Sequence, residues 1–284
     1  PRRAERYHTA VDFRDALAEV RHARRIQAVS VAAMSAAVRS GQAVLVESAP
    51  NSNAFVSHLL TLYSQSSRSN AGTRGMDALG HAAYVETELD RKLLPAVLQG
   101  EFRLVLISGN AGDGKTAFLQ RLEKEVEARG GAAHRGLPNG SELSLAGQRF
   151  LINYDGSQDE GNKDNNQVLL DFLAPFRGED AKAWTPQEIR LIAINEGRLV
   201  DFLTTHERDF AALTALVRRA FASGEAESGV ALVNLNLRSV VAEAEGGSIL
   251  ERTLNTMVQP SHWSACERCD LKDSCYALHN ARSF

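Results

Sequence analysis

A glycine-rich segment of the 284-residue chain carries the residue types that hold a phosphate group. Gly109, Gly114, Lys115 and Thr116 satisfy the spacing G-x-x-x-x-G-K-[ST]. The glycines permit backbone conformations in which successive N–H groups turn toward an anion, and the lysine adds a mobile positive charge. The threonine hydroxyl is a ligand type that suits Mg²⁺. This segment therefore predicts a site for a phosphate chain with a bound magnesium ion.

The flanking residues predict the two elements that must position this segment. Leu104 to Ser108 is an apolar run that predicts a buried strand, and the residues after Gly114 predict a helix whose positive end faces the anion. Apolar side chains recur on one face of this helix, at Phe118, Leu119, Leu122 and Val126. The polar residues Arg121, Glu123, Lys124 and Glu127 are assigned to its other face. The alternative, an ordinary glycine-rich turn, does not require Lys-Thr directly after the last glycine. The residues expected to contact the ligand are Gly109, Asn110, Ala111, Gly112, Asp113, Gly114, Lys115, Thr116 and Ala117.

The rest of the chain alternates between predicted strands and predicted helices. The predicted elements are a helix over 83–99 that Gly100 ends, strands over 150–154, 189–194 and 229–237, and helices over 168–176 and 199–221. The segment from Ala132 to Gly147 contains turn residues and receives no assignment. The alternation predicts an α/β fold, a parallel sheet with helices on both faces.

Polar residues follow the predicted strands at the edge where such sheets bind ligands. Asp155 follows one strand and is the predicted Mg²⁺ carboxylate that partners Thr116. A second interpretation is that Asp155 only begins a turn with Gly156. Asn195 ends the next strand and is expected to hold the terminal phosphate or the attacking water.

The position of a catalytic glutamate is less defined, because Gly156 stands directly after Asp155. Asp159, Glu160 and Glu196 are the alternatives, and Glu196 is preferred since it lies at a strand end. Glu196 is equally suited to capping the helix that follows. Arg238, beyond the last strand, is expected to reach the phosphates within this chain or in a neighbouring subunit, or else to form a surface ion pair.

A cysteine cluster near the end of the chain is a second chemical signal. Cys266, Cys269, Cys275 and His279 have donor types and spacings that suit a tetrahedral zinc site, with His262 as a second candidate for the nitrogen ligand. An iron–sulfur cluster with a further ligand is the competing metal hypothesis. Three unconnected thiols are the alternative without metal. A structural role is expected, since nothing nearby suggests an activated water.

Composition restricts the class of protein. A hydrophobic content of 44% and a charged content of 24% suit a soluble globular protein, and there is neither a membrane-length apolar run nor a signal peptide. A net charge of −3 gives no overall attraction to nucleic acid. Three clustered cysteines favour a reducing, cytoplasmic compartment. Because the first residue is Pro1, we expect the chain to be part of a longer polypeptide.

The expected organisation has four segments. Residues 1–28 form a helix followed by an arginine cluster, and residues 29–80 contain two helices and a linker rich in Ser, Asn and Gly. Residues 81–258 form the nucleotide domain, and residues 259–284 form the small cysteine module.

Five stretches together resemble the P-loop ATPases of bacterial phage defence. They are residues 107–116, 153–157, 194–199, 234–239 and the terminal cysteines. The similarity is to the ATPase of phosphorothioation-dependent restriction and to kinase-linked ATPase regions of BREX-like or methylation-associated systems, and it covers residues 85 to 280. The resemblance implies an additional-strand fold of the AAA+ or STAND type and ATP with Mg²⁺ as ligands. It also implies a multi-protein complex that senses or acts on invading DNA.

A shorter resemblance lies at the start of the chain. Ala4 to Tyr7 and Ala10 to Leu17 resemble the last helix of bacterial Ser/Thr protein kinases, which implies that residues 1–28 are the tail of an upstream kinase domain. None of the kinase catalytic motifs follows.

The sequence therefore predicts two alternative functions for this chain. The first is Mg²⁺-dependent ATP hydrolysis that drives motion or assembly, with other defence proteins as partners, nucleic acid reached through them and a homo-oligomer as one arrangement. The second is a nucleotide-gated module with little or no turnover that regulates an attached kinase or nuclease. The missing Asp-Glu pair favours the second, while Glu196 and Arg238 leave the first open. A small-molecule phosphotransferase is less favoured, since no lid or arginine cluster is evident.

Overall fold

The computed structural model describes residues 84–224, 227–243, 246–269 and 272–284, together with Asn53, Phe55 and Val56. All of them belong to one compact unit, Asn51–Phe284. The interpretations of residues 1–28 and of most of 29–80 lie outside the described residues. Within the second segment, Phe55 and Val56 are helical.

A six-stranded sheet is the centre of this unit. Its strands are β1 (Leu104–Ser108), β2 (Ala132–Leu137), β3 (Gly140–Leu145), β4 (Gln148–Asn153), β5 (Ile189–Ile194) and β6 (Val230–Asn234). Their order across the sheet is β2-β3-β4-β5-β1-β6. The strand that precedes the glycine-rich segment is therefore separated from the strand that precedes Asp155 by β5.

The sheet is mixed, so the prediction of a parallel sheet was wrong for one part of it. β1 pairs in parallel with both β5 and β6, and β4 pairs in parallel with β5. β2, β3 and β4 form an antiparallel meander instead. Two strands of the meander, β2 and β3, lie in the segment that received no assignment from the sequence. The turn residues there connect adjacent antiparallel strands, which need only a short loop.

The helices in the described part of the chain follow the strands in the order that the alternation predicted. The longer ones are α2 (Lys115–Ala128), α3 (Asn165–Leu173), α4 (Glu196–Thr205), α5 (Ala211–Ser223), α6 (Ile249–Met257) and α8 (Tyr276–Ser283). The shorter ones are α1 (Leu94–Leu98), which a π-helical turn Leu89–Leu93 precedes, and α7 (Pro260–Trp263). Short 3₁₀ turns lie at Ala174–Phe176, Ala181–Ala183, Leu235–Leu237, Ser264–Arg268 and Lys272–Ser274.

Two apolar clusters cover the two faces of the sheet. Successive side chains of a strand point to opposite faces, and every residue of β1 is buried. Val105 and Ile107 pack in the cluster that α1 and α2 cover, while Leu104 and Leu106 pack in the cluster that α3, α4 and α5 cover. This double burial explains why β1 is an uninterrupted apolar run.

Three predicted elements are shorter than the apolar pattern indicated. In the helix predicted over 83–99, residues 84–87 are not helical. The helix predicted over 199–221 is broken after Thr205, and its two parts share one stripe because both pack in the same cluster. The strand predicted over 229–237 ends at Asn234, whose side chain accepts a hydrogen bond from the Asn236 N–H and starts a 3₁₀ turn. In the part of the chain that the structure describes, no helix has the length and apolar character needed to cross a membrane.

Candidate functional site

The glycine-rich segment forms a loop between β1 and α2. Gly112 and Gly114 have φ angles of 89° and 87°, which only glycine adopts without strain. A Cβ on Gly109 would lie 2.8 Å from Asp113 Oδ2 and 3.0 Å from Leu235 Cβ, so this position admits no side chain without a shift. No side chain caps the N-terminus of α2. The N–H groups of its first turn, which lack partners inside a helix, are therefore suited to binding an anion.

Lys115 folds back onto this loop. Its Nζ donates to the carbonyl oxygens of Gly109 at 2.8 Å and of Asn110 at 2.7 Å. Burial lowers the pKa of Lys115 from its ordinary value of 10.5, and the nearby carboxylates of Asp113 and Asp155 partly oppose this shift. The ammonium therefore lies where a phosphate could replace the two carbonyl groups as its partner.

Asp113 and Arg238 hold the loop from two sides. Asp113 Oδ2 accepts the Asn110 N–H at 2.5 Å, and Arg238 Nη2 donates to the Asp113 carbonyl oxygen at 2.9 Å. Arg238 thus reaches the loop within the same chain, at its backbone, rather than forming an ion pair among the described residues. Its Nε is buried without a hydrogen-bond partner in the described structure.

A cavity of ≈ 450 Å³ lies against the loop and collects the ends of three strands. Its lining residues are Gly109, Ala111, Gly112, Gly114, Lys115, Thr116, Ala117, Tyr154, Asp155, Ser157 and Asn195. Thr116 and Asp155 supply a hydroxyl and a carboxylate, the hard oxygen donors that Mg²⁺ prefers, to one wall of this cavity. The residues present therefore fit a magnesium ion, and a cavity of this volume is in the usual range for a small-molecule site.

Asp155 also makes the turn that the second interpretation expected. Its Oδ1 accepts the Ser157 N–H at 2.9 Å, and its Oδ2 accepts Gln158 Nε2 at 2.8 Å. The Thr116 hydroxyl donates to the neighbouring Tyr154 carbonyl at 3.4 Å. A carboxylate oxygen accepts more than one bond, so the turn and a metal contact are compatible.

The tertiary structure explains why a glycine follows Asp155. The Gly156 N–H donates to the Ala193 carbonyl oxygen at 2.8 Å. An added Cβ would lie 2.7 Å from Ile192 Cδ1 and 3.1 Å from Leu169 Cδ2. A glutamate at this position would therefore collide with the apolar core.

Asn195 and Glu196 occupy different places around the loop. Asn195 lines the cavity and is the N-cap of α4, because its Oδ1 accepts the Gly197 N–H at 2.9 Å. The capping interpretation therefore applies to Asn195 rather than to Glu196. Glu196 Oε2 instead accepts Asn234 Nδ2 at 3.1 Å and Asn236 Nδ2 at 2.8 Å.

Glu196 faces a neighbouring open cavity of ≈ 600 Å³, which Asn110 and Asn195 also line. The other two candidates for a general base lie elsewhere. Asp159 accepts the Asn165 N–H at 2.8 Å, and Glu160 pairs with Lys163 through the backbone. Among the described residues, Asp155 is the one carboxylate that lines the loop cavity.

The described residues of the cysteine cluster differ in their burial and contacts. Cys266 is buried and its Sγ accepts Asn53 Nδ2 at 3.1 Å, whereas His279 is exposed on α8. The His262 ring stacks on Phe55 with centroids 4.4 Å apart. Within the described residues, no three His, Cys, Asp or Glu side chains are grouped so that they could hold a metal ion. The described side chains therefore add no support to the zinc or iron–sulfur hypothesis, which stays a prediction.

The sequence misplaced one residue of this region, Glu123. It was assigned to the solvent face of α2, but its residue exposure is only 2%. The antiparallel meander, which the sequence did not reveal, covers that side of the helix. Tyr154, Asn139 and Asn153 were also missed, and the signal was weak: polar residues at the end of an otherwise apolar strand.

Comparisons with family models, with curated proteins and with solved structures find no match to this chain.

Proposed function

We propose that residues 84–258 form a nucleotide-binding domain that binds ATP with Mg²⁺ and hydrolyses it. One observation carries the proposal: a single cavity collects the uncapped start of α2, Lys115, Thr116, Asp155 and Asn195. Amide groups and an ammonium suit the phosphates, and a hydroxyl with a carboxylate suits the metal. Bound Mg²⁺ would supply charge neutralisation between the phosphates.

The strand order supports the assignment of these roles. Because β5 lies between β1 and β4, Asn195 at the end of β5 stands between the loop and Asp155. That is the order expected of an additional-strand P-loop ATPase, in which an asparagine reaches the terminal phosphate or the water that attacks it. Arg238 donates to the loop backbone, which supports the proposal that it stabilises charge on the phosphates from within the chain.

The biological setting remains part of the same proposal. The resemblance of the five stretches to phage-defence ATPases supports a role in a multi-protein bacterial defence complex. Such a complex would bring other defence proteins, nucleic acid reached through them and contacts with further copies of this chain.

Titration of the chain with ATP in the presence of Mg²⁺ tests the proposal. We expect heat of binding and phosphate release by the unmodified chain, and a loss of about 10²-fold or more in rate for Lys115→Ala. Lys124→Ala is the matched control, since Lys124 is exposed on the same helix. If the folded chain gives no heat with any purine nucleotide, the proposal is wrong.

The nucleotide-gated module is the second candidate, and Glu196 favours it. This glutamate is held by two asparagine amides and does not line the loop cavity. If turnover is slow and uses no general base, Glu196→Gln should change phosphate release less than about tenfold. A loss of about 10²-fold or more with unchanged ATP affinity would instead identify Glu196 as the base.

A further inference from the structure

Glu123 is a buried carboxylate close to the candidate site, and it has no role in the proposed ATP hydrolysis itself. Its side chain is 3% exposed. A buried carboxylate is costly unless hydrogen bonds and opposite charge compensate it. Glu123 has such partners: Ser141 Oγ donates to its Oε1 at 2.5 Å, the Tyr154 hydroxyl donates to the same oxygen, and Arg135 Nε lies 2.9 Å from Oε2.

These partners join three elements around the loop. Glu123 belongs to α2, the helix that begins with Lys115 and Thr116. Arg135 and Ser141 belong to the β2–β3 hairpin, and Tyr154 directly follows β4. Because Arg135 is half-exposed and also pairs with Glu127 at 2.9 Å, the outer end of the cluster reaches solvent.

The same hairpin holds the backbone on which Asp155 is carried. The Tyr154 N–H donates to the Asn139 carbonyl oxygen at 2.9 Å, and Asn139 Nδ2 donates to the Asp155 carbonyl oxygen at 2.7 Å. On the other side, the Tyr154 carbonyl accepts the Thr116 hydroxyl at 3.4 Å. The Tyr154 hydroxyl therefore bonds Glu123, while the Tyr154 backbone bonds both the hairpin turn and Thr116.

We propose that Glu123 is a positioning residue for the metal site: through Tyr154 it sets the separation between the Thr116 hydroxyl and the Asp155 carboxylate. The proposal rests on the proposed function, since it requires those two groups to share a magnesium ion. The direct hydrogen bond from Thr116 to the Tyr154 carbonyl is long, at 3.4 Å, so by itself it leaves the helix and the strand end free to shift relative to each other. Two hydrogen bonds on one carboxylate oxygen prevent this, and a small displacement of either ligand weakens binding of an ion with strict octahedral geometry.

The test compares the Mg²⁺ dependence of ATP binding in the whole chain and in Tyr154→Phe. This substitution removes the hydroxyl and leaves the ring in place. We expect the Mg²⁺ concentration for half-maximal enhancement of ATP binding to rise about tenfold, near the lower end of what the loss of one hydrogen bond to a charged group implies. The ATP affinity measured in chelator should change by a smaller factor. Calorimetry at a series of Mg²⁺ concentrations measures both quantities without requiring turnover.

Two further variants separate positioning from a purely structural role. Ser141→Ala removes the other donor to the same oxygen and should shift the Mg²⁺ dependence in the same direction by a smaller factor. It also keeps the test valid if Tyr154→Phe does not fold. Thr214→Val alters a buried hydroxyl on α5, which bonds the Leu203 carbonyl at 3.5 Å, and should lower stability without shifting the Mg²⁺ dependence.

The outcomes distinguish the two proposals. If the unmodified chain binds no ATP, the proposed function fails and this inference fails with it. If the chain binds Mg²⁺ and ATP but Tyr154→Phe and Ser141→Ala retain its Mg²⁺ dependence, the proposed function stands and Glu123 has no positioning role.

Discussion

The glycine-rich loop and the cysteine cluster are both strong sequence signals, but among the described residues only the loop shares a cavity with its predicted partners. Around the loop, side chains from α2 and from the residues after β4 and β5 line one cavity. Around the cysteines, Cys266 is buried and His279 is exposed, and the described side chains form no group of three or more candidate metal ligands. The geometry of the loop therefore depends less on the rest of the fold than the geometry of the cysteine cluster does.

The difference has a physical basis. A phosphate-binding loop of the proposed kind uses backbone N–H groups, whose positions here follow from the φ angles of Gly112 and Gly114 and from the start of α2. A tetrahedral metal site instead requires four side chains to converge, and their direction depends on every packing contact around them. In this structure the buried Cys266 Sγ accepts a hydrogen bond from Asn53 Nδ2.

Among substitutions that test the difference between the loop and the cysteine cluster, the largest effect is expected at Asp155. Asp155→Asn keeps the shape and the turn-forming oxygen but removes the charge that suits Mg²⁺. We expect phosphate release at fixed Mg²⁺ to fall about 10²-fold, with weaker dependence on Mg²⁺ concentration. Steady-state phosphate release over a Mg²⁺ series measures both.

Asp159→Asn is the matched control for this change. Asp159 is exposed, lies close in sequence and bonds only the Asn165 N–H among the contacts described, so its variant should retain the rate. Equal rates for Asp155→Asn and the unmodified chain would show that Asp155 serves the turn alone.

A smaller effect is expected in the cysteine cluster. Cys266→Ala removes a buried side chain and should lower the free energy of unfolding by about 1 kcal/mol, whereas Cys269→Ala, at a partly exposed position, should change it by less than about 0.5 kcal/mol. Denaturant unfolding measures both. Stoichiometric zinc or iron in the purified chain, or a similar large loss in both variants together with destabilisation by chelator, would contradict the described arrangement and restore the metal hypothesis.

The smallest effect is expected near the loop, in the free energy of unfolding at alkaline pH. Burial, with the hydrogen bond to Glu123, raises the pKa of Tyr154 from 10.0 to about 12. Between these values the native chain keeps a proton that the unfolded chain has lost, so the free energy of unfolding should fall as pH rises from about 10 to about 12. Tyr154→Phe should make this fall less steep.

Denaturant unfolding at several alkaline pH values measures this slope. Tyr276→Phe is the control, because Tyr276 is 71% exposed and its removal should leave the slope unchanged. Equal slopes for Tyr154→Phe and the unmodified chain would show that the Tyr154 hydroxyl is not protected in the folded state.

Sequence patterns predicted those elements that are buried on both faces. β5 was predicted with its observed bounds and β1 with its observed start, because a strand covered on both sides consists of an apolar run and little else. The β2–β3 hairpin was not predicted, since β2 is mostly exposed and the alternation in β3 is confined to the short stretch Ser141 to Leu145. Without the hairpin, Glu123 had no partner and was assigned to solvent.

The amino-acid sequence by itself determined the loop, because backbone conformation, a helix start and the Lys-Thr pair all lie within a few consecutive residues. Only the tertiary structure decided which strand-end groups reach the loop. It placed Asn195 and Asp155 on the cavity, turned Glu196 toward two asparagines and buried Glu123 beneath Tyr154. The reason is that these side chains come from segments distant in sequence, and strand order and the packing of a mixed sheet, rather than local spacing, set their separations.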